Sequence, residues 1–279
     1  MSQLKKNSQA SSLGAFDGLR LLAAFGVLYS HSFVLTRMDY KEVLIRFTHG
    51  ATPLAEISVY VFFAISGYLI TQSWLRDPSI KRFMIRRLLR ILPALVFVIA
   101  VSALIIGPLL TTLSLQEYFS NRAAWNYLSK IFIYPTQYGL PGIFENNPFP
   151  IVVNGSLWSL RLEFALYIIV MILGWLGLLR WRWVSVMLAF ICLLFDLVLT
   201  QTHFFHSIHS LHQTLVLFEN ALPFFIGAAL AKTNLDSKWL WSIALLLIVS
   251  TLLLVSTAIF QTITIISCIH CHYSASSLS

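Results

Sequence analysis

Arg20 and His31 stand ten residues apart, and every residue between them except Tyr29 and Ser30 is apolar or small. Such a run, continued by Phe33-Val34-Leu35, reads as a membrane-crossing helix. Eleven steps of about 100° make close to three turns, so both side chains share one face, roughly 16 Å apart along the axis. A guanidinium at the entrance of a span and an imidazole deep within it are both costly in lipid. Such groups face a bundle interior or a wet cavity and are functional candidates by default. The competing reading makes Arg20 a boundary anchor and His31 a satisfied core residue, and for these two residues alone it carries equal weight. Glu163 adds a carboxylate inside another apolar run, and Arg82, Arg86 and Arg90 recur at helical spacing before a third.

The elements that must position these groups follow from composition. The chain has 279 residues, is 58% hydrophobic and only 11% charged, with a mean hydropathy of +0.78. That balance excludes a soluble domain and predicts an all-α, polytopic bundle of seven to eight transmembrane helices. Spans are expected at about Leu19–Leu35, Leu54–Leu75, Ile91–Leu113, Leu157–Leu179, Val184–Leu199, Thr214–Ala231 and Trp239–Phe260. The connection from Arg37 to Pro53 reads as a short loop, Arg76 to Arg90 as a basic loop, and Ser114 to Val153 as the longest loop. Pro93 suits either the first turn of the third span or a kink within a helix that starts earlier. The formal charge of +8 would suggest nucleic acid for a soluble chain, but here basic cytoplasmic loops explain it and no nucleic-acid partner is expected. Cys192, Cys268 and Cys271 make no disulfide framework.

Orientation follows from the cations. With the N-terminus inside, thirteen Lys and Arg residues fall on inner segments and five on outer loops, with Arg161 left within the fourth span. The N-terminus is therefore expected in the cytoplasm. His31 then lies roughly 6 Å below the outer end of its span and Glu163 roughly 9 Å below the outer end of the fourth. Cations at the inner face with a His/Glu pair further out suit an anionic donor that enters from the cytoplasm with its reactive end reaching across the membrane.

Four stretches, in order, resemble the acyltransferase-3 family of membrane O-acyltransferases. They are Phe16-Asp17-Gly18-Leu19-Arg20 through His31; Phe62-Phe63-Ala64-Ile65-Ser66-Gly67-Tyr68-Leu69-Ile70-Thr71; Arg86-Arg87-Leu88-Leu89-Arg90-Ile91-Leu92-Pro93; and Asn154-Gly155-Ser156-Leu157-Trp158-Ser159-Leu160-Arg161-Leu162-Glu163-Phe164. Phe224-Phe225-Ile226-Gly227 resembles a later, weaker element. Each motif alone is weak, and four in order with one topology are specific. Arg161 stands where many members carry a small or apolar residue.

The resemblance implies acyl-CoA, usually acetyl-CoA, as a cytoplasmic donor. The implied acceptor is a hydroxyl on a cell-envelope carbohydrate or lipid-linked glycan. It also implies an integral, multi-pass protein of the plasma (inner) membrane if the source is bacterial. A neutral hydroxyl is a poor nucleophile and needs a base. His31 is assigned as that base or as a transient acyl carrier, and Glu163 as the group that orients His31 or the acceptor. Arg20, Arg86, Arg87 and Arg90 are assigned to the donor's phosphates or pantetheine, since Arg82, Arg86 and Arg90 make a stripe able to grip phosphate bidentately. Positive-inside anchoring covers Arg76, Lys81 and Arg82 equally well. Asp17 supports Arg20 or the helix start, Ser66-Gly67 allows close helix packing, and Trp158 and Ser159 support the Glu163 motif.

Other features carry no assignment. His203, His206, His209 and His212 recur every third residue, but an outer polar loop explains them as well as a metal face does. Cys268-Ile269-His270-Cys271-His272 is a half-site at a chain end, no metal is expected, and Asp196 is left to packing. The domain reading is a flexible cytoplasmic tail over 1–15, a transmembrane acyltransferase domain over 16–266 and an atypical polar tail over 267–279. The resemblance implies about ten spans, so the sequence is expected to be cut short or frameshifted at its C-terminal end. An inactive remnant and, with less support, a transporter or flippase are the alternatives. A transporter would more often show repeated halves, and none is evident.

Overall fold

A computed structural model describes residues 2–48, 50, 52–132, 139–201 and 209–231, and among these residues it is built of helices and turns with no strand. The chain divides into two compact units, one whose described part ends at Ile65 and one from Ser66 to Lys232.

In the first unit, α1 runs from Ser2 to Leu35, and Gly14–Leu35 is long and apolar enough to cross a membrane. The helix therefore begins well before Leu19, and the polar stretch read as a tail continues it. Leu21, Leu22, Phe25 and Leu28 turn their side chains outward while Ala23 and Ser30 are buried. An apolar outer face and a buried face of small residues is the pattern of a helix whose solvent is lipid. Residues 37–53 are not a featureless loop. A short 3-10 turn at Asp39–Lys41 leads to Glu42 and then to α2 (Val43–Phe47). Thr48 closes α2 by donating from Oγ1 to the Leu44 carbonyl at 2.8 Å, and the same oxygen accepts from the Thr52 N–H at 3.2 Å. α3 (Leu54–Arg76) follows, belongs to this unit up to Ile65 and to the second from Ser66, and meets the length and composition of a span.

In the second unit, α4 spans Ile80–Val101 and continues through a π-helical turn at Ser102–Ile106 into α5 (Gly107–Leu110). The third span is thus Ile80–Leu110, and the arginines assigned to a loop lie on its first turns. Leucine, isoleucine and arginine are good helix formers, and nothing between Ile80 and Pro93 stops the helix. It runs on through Pro93, which is exposed within the helix. Two short helices, α6 (Leu115–Ser120) and α7 (Arg122–Leu128), lie in the long connection before α8 (Trp158–Trp175). Ser114 and Glu117 form a reciprocal capping box at the start of α6. Those bonds hold the Glu117 carboxyl below its ordinary value.

That connection is tied to the π-helical turn. The extra residue in the turn frees the Ala103 carbonyl, which accepts from the Tyr118 hydroxyl at 2.8 Å. Gly107 is required there, because a Cβ would collide with the same hydroxyl. Asn154, left-handed at φ 56°, donates from Nδ2 to Ser102 Oγ at 2.7 Å and to the Tyr127 hydroxyl at 3.0 Å. Burial raises the Tyr118 and Tyr127 hydroxyls above their usual range. Asn154, the first residue of the stretch that runs to Phe164, is in this way locked onto the third span.

α9 (Arg182–Gln201) and α10 (His209–Leu230) complete the described unit, with the Phe195 and Phe218 rings stacked 4.7 Å apart between them. By length and composition four helices qualify as spans, at Gly14–Leu35, Leu54–Arg76, Ile80–Leu110 and Gly155–Trp175, and shorter apolar helices cover Trp183–Asp196 and Val216–Leu230. The expected seventh span, the Cys-His stretch, His203 and His206 lie outside the described residues.

Candidate active site

Glu163 is the centre of the second unit's polar chemistry. It lies on the second turn of α8, and its Oε1 accepts from Ser66 Oγ at 2.7 Å and from the hydroxyl of Tyr167, one turn on. Oε2 has no hydrogen-bond partner among the described residues. Ser66 reaches it because Gly67 lets α3 approach α10: a Cβ at Gly67 would collide with the carbonyl of Phe224. The packing role expected of Gly67 is thereby present, and the partner is the Phe-Phe-Ile-Gly stretch. Ser66 does more than pack, since its hydroxyl supplies the carboxylate with a donor.

Arg87 joins the same cluster from α4. Its side chain is 8% exposed, donates from Nη2 to Ser73 Oγ at 3.2 Å, and lies over the rings of Phe83 and Tyr167 at 5.7 and 5.9 Å. Cation–π contacts of this kind hold a guanidinium in place without neutralising it. Arg87 Nε is buried with no hydrogen-bond partner among the described residues. Three stretches remote in sequence therefore meet: Ser66 of α3, Arg87 of α4, and Glu163 of α8, with Tyr167 between the last two.

The arginine stripe is organised differently from the expectation. Asp77, in the turn between α3 and α4, accepts from Arg82 Nε and Nη2 at 2.9 and 2.6 Å and from Arg86 Nη1 at 2.8 Å. Those bonds hold the Asp77 carboxyl well below the usual carboxylate range. Arg82 and Arg86 thus share an internal anion that spacing alone did not reveal, and Arg90 is exposed. Arg86 still has Nε and Nη2 buried without partners among the described residues. Residues 76–90 carry six cations against the single Asp77, so pairing with Arg82 and Arg86 leaves Arg76, Lys81, Arg87 and Arg90 unneutralised by it.

In the first unit, Arg20 is half-buried on α1 and its Nη1 lies 3.9 Å from the Oδ1 of the exposed Asp17. His31 is half-buried, and its Nδ1 is buried with no hydrogen-bond partner among the described residues. His31 belongs to the first unit and Glu163 to the second, and the described bonds of Glu163 run to Ser66 and Tyr167. Trp158 opens α8, and Ser159 Oγ donates to the Ser156 carbonyl at 3.0 Å, tightening the first turn. Asp196 is buried in α9.

Tyr167, Asp77 and Glu42 escaped the sequence reading. Tyr167 was detectable as the i+4 neighbour of Glu163, and Asp77 as the lone acid among the basic residues. Glu42 carried no such signal, for its neighbours in sequence are unremarkable polar and apolar residues.

Among known proteins, residues 13–272 match the sequence model of a family described as an acyltransferase domain. An O-acetyl transferase of Shigella phage Sf6 is 36% identical over 154 residues, 55% of this chain and 44% of that protein. Nodulation protein 10 of Rhizobium leguminosarum bv. viciae is 32% identical over 170 residues, 55% of this chain and 42% of that protein. The chain thus matches less than half the length of either curated relative. No solved structure matches it.

Proposed function

Because this chain belongs to the acyltransferase-3 family, we propose that it is a membrane O-acyltransferase that moves an acyl group, acetyl in the first instance, from cytoplasmic acyl-CoA to a hydroxyl of a cell-envelope carbohydrate. The observation that carries this reading is the convergence of Ser66, Arg87 and the Glu163–Tyr167 pair. It brings a buried guanidinium and a half-buried carboxylate together inside an apolar bundle, and ionisable groups so placed are functional candidates by default.

Arg86 and Arg87 present three buried guanidinium nitrogens without acceptors among the described residues, a donor set suited to phosphate oxygens. Arg90 and Arg20 are the further cations proposed for the donor. His31 takes the proton from the acceptor hydroxyl as that oxygen attacks the thioester carbon. The thiolate of CoA then leaves as the carbonyl re-forms, and the imidazolium returns its proton to the sulfur or to water. Glu163, held by two hydroxyl donors at one oxygen, keeps the other oxygen to orient the acceptor. The acyltransferase domain over residues 16–266 is part of the same proposal.

The test uses membranes carrying the full-length protein, labelled acetyl-CoA and a glycan acceptor. Arg86→Ala and Arg87→Ala should raise the donor KM strongly while membrane level changes little, since each removes charge-assisted contacts of about 1.5–3 kcal/mol. An unchanged donor KM in both variants would return these arginines to membrane anchoring.

A further inference from the structure

Glu42 is a fully buried carboxylate, with 0% of its surface exposed, in a segment with no place in the proposed chemistry. Its Oε2 accepts from Ser30 Oγ at 3.0 Å, and its Oε1 accepts from the backbone N–H of Leu54 at 2.6 Å. No cation lies within ion-pair distance among the described residues. The charge rests instead on a serine hydroxyl and on the N-terminus of α3, where the first N–H groups have no partner inside the helix.

Both partners sit where a register is set. Ser30 is itself 0% exposed and immediately precedes His31 on α1, and Leu54 is the first residue of α3. One turn earlier on α1, Gly26 packs against Leu54 and Ser58, and a Cβ there would collide with Ser58 Oγ. One turn into α3, Ser58 Oγ donates to the Leu54 carbonyl at 2.8 Å. Two successive turns of α1, at Gly26 and Ser30, are thus matched to the first turn of α3, and Glu42 is the bridge that closes the match. A slide of α1 by one turn, about 5.4 Å, would strand a buried carboxylate.

We infer that Glu42 is the positioning residue for His31: it fixes the height and rotation of the α1 turn that presents the imidazole. This rests on the proposed role of His31. Displacing a catalytic group by about 1 Å can cost about 10²-fold in rate, so a latch one residue away bears directly on turnover.

The experiment compares Glu42→Gln, Glu42→Ala, Ser30→Ala, His31→Ala and the Glu42→Ala/His31→Ala double variant of the full-length protein in membranes. Glutamine keeps an acceptor for the Leu54 N–H, and its amide N–H can donate to Ser30 Oγ, so Glu42→Gln should retain most of kcat. Glu42→Ala should lose at least about tenfold in kcat with little change in donor KM, and should add nothing to the loss in His31→Ala. Ser30→Ala removes one of the two ties and should fall between, which keeps the test valid where Glu42→Ala fails to accumulate. Equal kcat in Glu42→Ala and the parent, equal losses in Glu42→Gln and Glu42→Ala, or a full further loss in the double variant would each overturn the inference. Undiminished turnover in His31→Ala would instead overturn the role of His31 itself.

Discussion

At the residue scale, the arrangement of Arg87, Tyr167 and Glu163 separates two tasks that a single deletion would confuse. Tyr167→Phe keeps the ring beneath the Arg87 guanidinium and removes only the hydroxyl that bonds Glu163. It should lower kcat by about tenfold, the worth of one hydrogen bond to a charged group, and leave donor KM unchanged. A raised donor KM with normal kcat would place Glu163 in donor binding. Asp77 makes a separate prediction about pH. Its carboxyl is depressed by Arg82 and Arg86, so the tie is complete above the unfolded carboxylate value of about 3.9 and is lost only as pH falls through the lower folded value. A fluorophore on Lys81→Cys should therefore report an unchanged turn between α3 and α4 from pH 8 to about pH 5. A transition centred near pH 6 would show that Asp77 is not held by the two arginines.

At the element scale, the close approach at Gly67 governs whether α3, α8 and α10 can share a site. Gly67→Ala puts a methyl group into the Phe224 backbone, which cannot turn away as a side chain would. Overpacking of this kind costs about 1–3 kcal/mol or more. The variant should unfold at a lower temperature in detergent and lose Glu163-dependent turnover together with stability, whereas a parent-like melting temperature would contradict the packing. The helices themselves were legible, because apolar runs of span length need no tertiary information, as Leu54–Arg76 and Trp158–Trp175 illustrate. The start of the third span was not. Its arginines read as a loop by charge, while their helix propensity and the absence of a stop before Pro93 carried the helix back to Ile80. The motif residues Ser66, Arg87 and Glu163 were legible as candidates, but their meeting was not, since contacts between residues as far apart as Ser66 and Glu163 leave no periodic trace. Glu42 was invisible for the same reason: its partners, Ser30 and Leu54, are each twelve residues away.

At the scale of the whole molecule, the proposal requires a sided membrane protein with the donor's arginines inside and the long connection outside. Impermeant thiol labelling of intact cells should modify a cysteine placed at Asn146, which is exposed, and spare one at Lys81, also exposed. The reverse pattern would overturn the orientation. The central claim is that His31 takes the acceptor's proton, and the most direct measurement is acyl transfer from labelled acetyl-CoA by membranes carrying His31→Ala and His31→Gln at matched protein level. Both substitutions preserve or raise the apolar character of α1, and glutamine can hydrogen-bond but cannot usefully take a proton. Both should lose at least about 10²-fold in transfer with donor binding retained. Transfer by His31→Gln at near the parent rate would contradict the account and make His31 a positioning residue with the base elsewhere.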